Sequence, residues 1–362
     1  MVEKAKQQGL YIIGLMSGTS LDGLDICYTR FHLRDNKWEY RILQTATVSY
    51  PDELKEKLAT AQLMDALHFA RLHSDYGLYI GTQVRAFIET HDLSPDCVAS
   101  HGHSIFHQPH LRLTCQIGSG AAIAAECGVD TICDFRTTDV ALWGQGAPLV
   151  PIGDRHLFGD YDYCLNLGGF SNISSEQEWG RSAYDISPVN YVLNRYTRSI
   201  GKEYDEDGEM ARNGNVFPAL LEALNGLEFY TQTGPKSLGR EWVEEVIFPM
   251  IDDSGLSMND KLATFCEHVA IQISKHIKSG RVLVTGGGAL NKYLMERMSA
   301  AAPQCTFHIP DALTINFKEA LIFAFLAALY VCGMPNCLSS VTGAKHDCIG
   351  GALYKGNLEI KK

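Results

Sequence analysis

The sequence predicts an α/β protein of two domains, and three observations carry that expectation. An apolar run, Leu10-Tyr11-Ile12-Ile13, enters a loop of glycines and hydroxyl residues and leaves it through residues 25–32, which alternate polar and apolar. That is a hairpin of half-buried strands around a flexible turn. The same layout returns in residues 163–167, Gly168-Gly169 and 170–174, and helical periodicity alternates with short β-rich runs elsewhere, as mixed α/β domains require.

Taken in order, residues 40–48 read as a third strand and Pro51 opens a charged helix to about residue 56. Residues 66–91 have helical spacing, with Leu67, Ala70, Leu72, Leu78, Ile80, Val84 and Phe87 available to face a sheet. A buried strand at 97–100 ends in the loop His101-Gly102-His103-Ser104, followed by a strand at 114–117, a small-residue helix at 120–127 and a strand at 131–133. Residues 143–151 are too rich in Gly and Pro for regular structure. The domain boundary is drawn just before them, giving domains 1–133 and 134–362. After the second hairpin, residues 184–190 read as a helix start that Asp185 or Ser187 would cap. A helix at 260–278, a strand at 281–284, the turn Thr285-Gly286-Gly287-Gly288 opening a helix, and an apolar helix begun by Phe317-Lys318-Glu319 complete the chain. The last apolar run, residues 320–332, is shorter than the ~20 residues of a membrane span and reads as a core helix.

At 362 residues the chain is long enough for two cores, and a net charge of −11 disfavours a nucleic-acid partner. Eleven cysteines scatter through core-like segments with no Cys-x-x-Cys pair, which points to reduced thiols. With no targeting segment in view, the expectation is a cytoplasmic protein without a membrane partner.

Chemistry concentrates at the first loop. Gly14, Gly18 and Gly23 let successive N–H groups converge on an anion, and Ser17, Thr19 and Ser20 add hydroxyl donors. Asp22 and Asp25 suit a phosphate arriving with Mg²⁺, so Mg-ATP fits the loop Gly18-Thr19-Ser20-Leu21-Asp22-Gly23-Leu24-Asp25, with Asp22 as metal ligand. A Walker or Rossmann loop is excluded because the turn leads into a strand, not a helix. The second turn, Gly168, Gly169 and Asn172, would grip the polyphosphate from the other side, and Gly286, Gly287 and Gly288 would let a flat adenine lie on backbone. His101, His103, His107 and His110 match no zinc spacing; sugar contact by His103 or Ser104 is the better reading. Asp134 and Arg136 follow a buried strand, where pockets gather.

These segments together, with Gly144-Gln145-Gly146-Ala147-Pro148-Leu149-Val150-Pro151, residues 235–241 and Val341-Thr342-Gly343-Ala344, resemble the anhydro-N-acetylmuramic acid kinases over essentially the whole chain. The resemblance implies a two-domain actin-like (ribonuclease H-like) ATPase fold with an interdomain cleft, ATP and Mg²⁺ as cofactors, and an amino sugar as substrate, and leaves room for a homodimer. It implies hydrolytic opening of 1,6-anhydro-N-acetylmuramic acid with phosphorylation of O6, as in peptidoglycan recycling. Asp185 would be the general base, and His103, Ser104, Asp134, Arg136 and Glu319 would hold the sugar. Ile186, Ser187 and Val189 stand where the family carries a threonine and two glycines, and Ile322 where it carries alanine. The alternatives are an actin-fold kinase for a related amino sugar and a nucleotide-gated binding protein without sugar kinase activity.

Overall fold

The computed structural model describes residues 1–18, 21–232 and 236–356, and they divide into two compact units: residues 1–157 with 317–362, and residues 158–316. The expected division at 133/134 is thus displaced. Residues 134–157 stay with the first unit, and the chain returns to it at Phe317, because the last helix and strand complete that unit's core and sheet.

The first unit contains β1 (Leu10–Ser17), β2 (Leu24–Arg34), β3 (Lys37–Val48), β4 (Cys97–Ser100), β5 (His103–Gln108), β6 (Leu113–Ile117), β7 (Thr131–Cys133) and β13 (Ala352–Tyr354). Its main sheet runs β13-β7-β4-β1-β2-β3, and β5 and β6 pair separately. The second unit contains β8 (Tyr163–Leu167), β9 (Phe170–Gln177), β10 (Gly180–Pro188), β11 (Gly280–Thr285) and β12 (Cys305–His308), ordered β10-β9-β8-β11-β12. In each sheet an antiparallel three-strand meander continues into two parallel strands: β3-β2-β1 then β4 and β7, β10-β9-β8 then β11 and β12. One order used twice is the actin-like α/β fold.

The helix Ala66–His91 starts where expected because Asp65 accepts the His68 N–H and ends where Asp92 turns left-handed. Its buried stripe is Leu72, Tyr76, Ile80, Val84 and Phe87, whereas Leu67, Leu78 and Ala70 are exposed. Gly77 and Gly81 are buried too and bring the helix so close to Gly120–Cys127 that an added Cβ would meet Ser119 O at 2.7 Å and Glu126 Cβ at 2.6 Å.

The last helix, Ala312–Val331, begins before residue 317, so Glu319 lies beyond its first turn. By length and composition it could cross a membrane, but residues 320–329 are almost wholly buried inside the first unit. It is apolar all round because protein covers it on several sides: Gly14 of β1 lies under Ala320, Phe31 and Trp38 pack on Phe325, and Gly153 and Asp154 of the helix Val150–Leu157 meet Ile322 and Lys318.

Candidate active site

In the first unit the β1–β2 turn is closed by the Leu21 N–H donating to Gly18 O, with Leu21 at a φ of 58°. A branched side chain in that left-handed region stores backbone strain, a condition found at ligand-holding turns. Thr19 and Ser20 lie outside the described residues. Asp22 is exposed, and Leu24 is buried in the core, so only its backbone is available to a ligand. Gly23 answers to packing: a Cβ there would sit 2.7 Å from Val48 O. Ser17 is not a free phosphate donor, since its buried hydroxyl accepts from Tyr50 Oη at 2.8 Å and lies 3.3 Å from His103 Nδ1.

Asp25 pairs across β1 with Met16 and across β3 with Thr47, whose hydroxyl it accepts at 2.6 Å. Burial raises its pKa, the Thr47 hydrogen bond lowers it and Asp22 raises it again. A carboxylate held against desolvation beside another carboxylate gains from a cation, and an all-oxygen donor pair suits Mg²⁺. Glu319 joins the same field. It is solvent-accessible, yet protein crowding raises its pKa, with Arg136 and Lys318 pulling it down and Asp25 pushing it up.

Arg136 is fixed by donating Nε and Nη2 to His101 Nε2, at 3.2 and 2.8 Å, and Nη1 to Gly146 O at 2.7 Å. Desolvation lowers its pKa and Glu319 raises it, but a guanidinium stays charged. His101, stripped of water and facing that cation, is pushed down to about 3 and is a neutral acceptor. His103 is not in a loop but opens β5, where it is buried and its pKa is lowered by desolvation. Ser104, on the same strand, accepts from Gln116 Nε2 at 3.3 Å. Asp134 is an exposed turn residue at φ 59°, and its carboxylate accepts the Thr137 hydroxyl at the next helix start.

In the second unit Asp185 is not a helix cap. It lies in β10 beside a bulge, and the helix Asn190–Arg198 starts only after Val189. Cross-strand register sets Asp185 opposite Asn172, Asn172 opposite Asn166, and Asn166 opposite Thr285, so four polar residues share one face. The register shifts between Asp185 and Ser187, just beyond that face. Asp185 accepts the Leu238 N–H at 2.9 Å, and burial raises its pKa while that hydrogen bond lowers it, as suits a base that must hold a proton in passing. Ile186, Ser187 and Val189 are each fully buried, so their added bulk enters the core, not the polar face. Ile322 likewise fills space against Gly153.

The glycines divide by cause. A Cβ on Gly286 or Gly288 would meet Leu167 at 2.7 or 2.8 Å, so these two are needed for packing. The Cβ of Gly169 would find only Tyr191 at 3.8 Å, and that of Gly287 only Asn190 at 3.7 Å, while Gly168 has its nearest atom at 3.3 Å. Gly169 and Gly287 therefore leave open backbone at the carboxyl ends of β8 and β11, where α/β sheets take ligands. Sequence reasoning missed Tyr50, Tyr76, Asn166 and the His101 support of Arg136. Sheet pairing brings in Asn166, whereas Tyr50, Tyr76 and His101 enter through side-chain contacts between residues distant along the chain, which no local pattern signals.

The chain is a kinase by class: a family model described as Anhydro-N-acetylmuramic acid kinase matches residues 10–356. The chain belongs to the anhydro-N-acetylmuramic acid kinase family. Similar solved structures include the activator of the 2-hydroxyisocaproyl-CoA dehydratase from Clostridium difficile with bound ADPNP, at 14% identity over 90% of this chain and 97% of that one, TM-score 0.44. Others are the ROK hexokinase from Thermus thermophilus, at 13% identity over 88% and 99%, TM-score 0.39, and the hexokinase from Schistosoma mansoni complexed with glucose, at 9% over 88% and 85%, TM-score 0.35.

Proposed function

We propose that this kinase converts 1,6-anhydro-N-acetylmuramic acid, ATP and water to N-acetylmuramic acid 6-phosphate and ADP. The family match over residues 10–356 carries the reading, and the half-buried Asp185 on its polar face supports it. Asp185 takes the proton of the water that attacks the anomeric carbon as the bond to the bridging oxygen breaks; that oxygen, now O6, accepts the γ-phosphoryl group. Arg136, held rigid by His101 and Gly146, and Glu319 orient the sugar, and His103 and Ser104 add polar contacts. Asp22 and Asp25 would hold Mg²⁺, which supplies positive charge to the transferring phosphoryl group. The open backbone at Gly168, Gly169 and Gly287 serves the nucleotide.

A second reading is a kinase for a related amino sugar, in which His103 again meets the substrate. His103 is buried, and its Nδ1 faces the Ser17 hydroxyl, which leaves Nε2 as its polar atom for a substrate. Turnover in ¹⁸O water separates the readings. The expected product carries one label at the anomeric hydroxyl and none in the phosphate ester. ATP consumption without labelled sugar phosphate rejects the coupled mechanism, and full activity in Asp185→Asn removes Asp185 as base.

A further inference from the structure

Far from each other in sequence, Asp139, Cys337 and Cys348 converge inside the first unit, with one donor atom from each within 4.8 Å of the others. All three are buried, Asp139 at 0%, Cys337 at 1% and Cys348 at 6% exposure. The cysteines form an isolated antiparallel bridge, exchanging N–H donors to carbonyls at 3.1 and 3.3 Å. Directly opposed residues put their side chains on one side of the ribbon. The short helix Thr137–Ala141 brings Asp139 to that side.

The carboxylate is held from behind. Its Oδ2 accepts the Gly146 N–H at 2.7 Å and its Oδ1 accepts the Thr342 hydroxyl at 2.7 Å. Each oxygen keeps a second lone pair. Among the described residues no ion pair reaches this fully buried carboxylate, and an uncompensated charge in the interior is costly. Two neutral hydrogen bonds behind the carboxylate and two thiols beside it are the arrangement of a metal ligand with its orienting partners.

We propose that Asp139, Cys337 and Cys348 bind a zinc ion in a closed structural site, whose ligands are none of the residues assigned to phosphoryl transfer and which adjoins Arg136 through Gly146. Two sulfurs select a soft or borderline cation over Mg²⁺ or Ca²⁺, and zinc takes thiolate and carboxylate together in tetrahedral geometry. At Zn–S and Zn–O lengths of about 2.3 and 2.0 Å, tetrahedral ligand atoms lie roughly 3.5–3.8 Å apart, so a cluster whose donor atoms lie within 4.8 Å of one another needs to contract by about 1.3 Å at most. Oxygen donors for the fourth position are at hand: Phe135 O and Asn336 Oδ1 lie 3.6 and 3.7 Å from Cys337 Sγ. Binding releases the two thiol protons to solvent, leaving both sulfurs as thiolates.

The test uses the full chain, stripped with a chelator under reducing conditions and titrated with Co²⁺ and then Zn²⁺. The expected result is one Co²⁺ per chain with a thiolate-to-cobalt charge-transfer band, bleached by one equivalent of Zn²⁺, and a thermal midpoint that rises with zinc. Cys348→Ser and Cys337→Ser should each weaken zinc binding by about 100-fold or more and abolish the midpoint rise. Cys305→Ser, at a thiol outside the cluster, should change neither. Substoichiometric binding, a charge-transfer band that survives both cluster substitutions, or a Cys337–Cys348 disulfide formed in place of metal under these conditions would each overturn the proposal. If a cluster variant fails to fold, thiol alkylation of the unmodified protein decides: zinc must protect Cys337 and Cys348 selectively.

Discussion

Replacing Gly14 by alanine should damage the fold and the reaction together. An ideal Cβ at Gly14 would stand 1.9 Å from Ala320 O and 2.8 Å from Ala324 N, both backbone atoms of the helix Ala312–Val331. Ordinary contact begins at 3.4 Å, so strand and helix must part by about 1.5 Å (3.4 − 1.9). No side chain can swing aside to absorb this. Overpacking of a filled core costs typically about 1–3 kcal/mol, and a backbone-to-backbone clash belongs at the upper end. The entropy gained by removing a glycine from the unfolded chain, about 0.4–1 kcal/mol, does not offset it. The expected loss is therefore about 2–3 kcal/mol, read as a lower urea midpoint. Because Glu319 directly precedes Ala320, a shift on the order of 1 Å should also cost on the order of 10² in kcat/KM, read by ADP release. Gly169→Ala is the contrast: with its nearest neighbour at 3.8 Å, stability should stay within about 0.5 kcal/mol, while nucleotide affinity falls. A Gly14→Ala protein as stable and active as its parent would refute the packing argument.

Other consequences can be checked alongside. Tyr50→Phe removes the hydroxyl that joins Ser17 and Tyr76, each at 2.8 Å; about 1–2 kcal/mol of stability should go, with a raised KM for sugar, and unchanged values of both would show that the network orients nothing. Burial raises the Asp185 pKa from 3.8, so the folded chain binds that proton more tightly than the unfolded one, and stability grows as pH falls through the raised value. Asp185→Asn should accordingly lose turnover without losing thermal stability at pH 7, and the acid limb of kcat/KM in the parent should lie above 3.8; a variant that unfolds several degrees earlier contradicts this. His101 and His268 are each buried and lowered from 6.5 to about 3. The stability they confer by staying neutral is full above pH 6.5 and drains away toward pH 3. At pH 5 each should already cost about 2 kcal/mol, from 1.5 pH units at about 1.36 kcal/mol per unit. Histidine proton resonances that titrate near pH 6.5 for either residue would remove that contribution.

Local pattern determined a large part of this protein. Both glycine hairpins, the helices at 66–91 and 120–127, and the short strands at 97–100, 131–133 and 163–167 follow from apolar period, caps and breakers acting within a few residues, and the structure has them where those signals lie. The roles of individual side chains were decided elsewhere. Asp185 reads as a helix cap by its neighbours, but β10 pairing with β9 makes it a strand residue opposite Asn172. Gly23, Gly286 and Gly288 read as ligand turns, yet Val48 and Leu167, distant along the chain, press on them. The chain's return at Phe317 carries Glu319 into the first unit, and no composition shift announces it. Hydrophobic period and turn chemistry are short-range and written in consecutive residues; which polar groups meet, which glycines are crowded and which carboxylates lose their water depend on contacts that only the closed sheets and the packed last helix create.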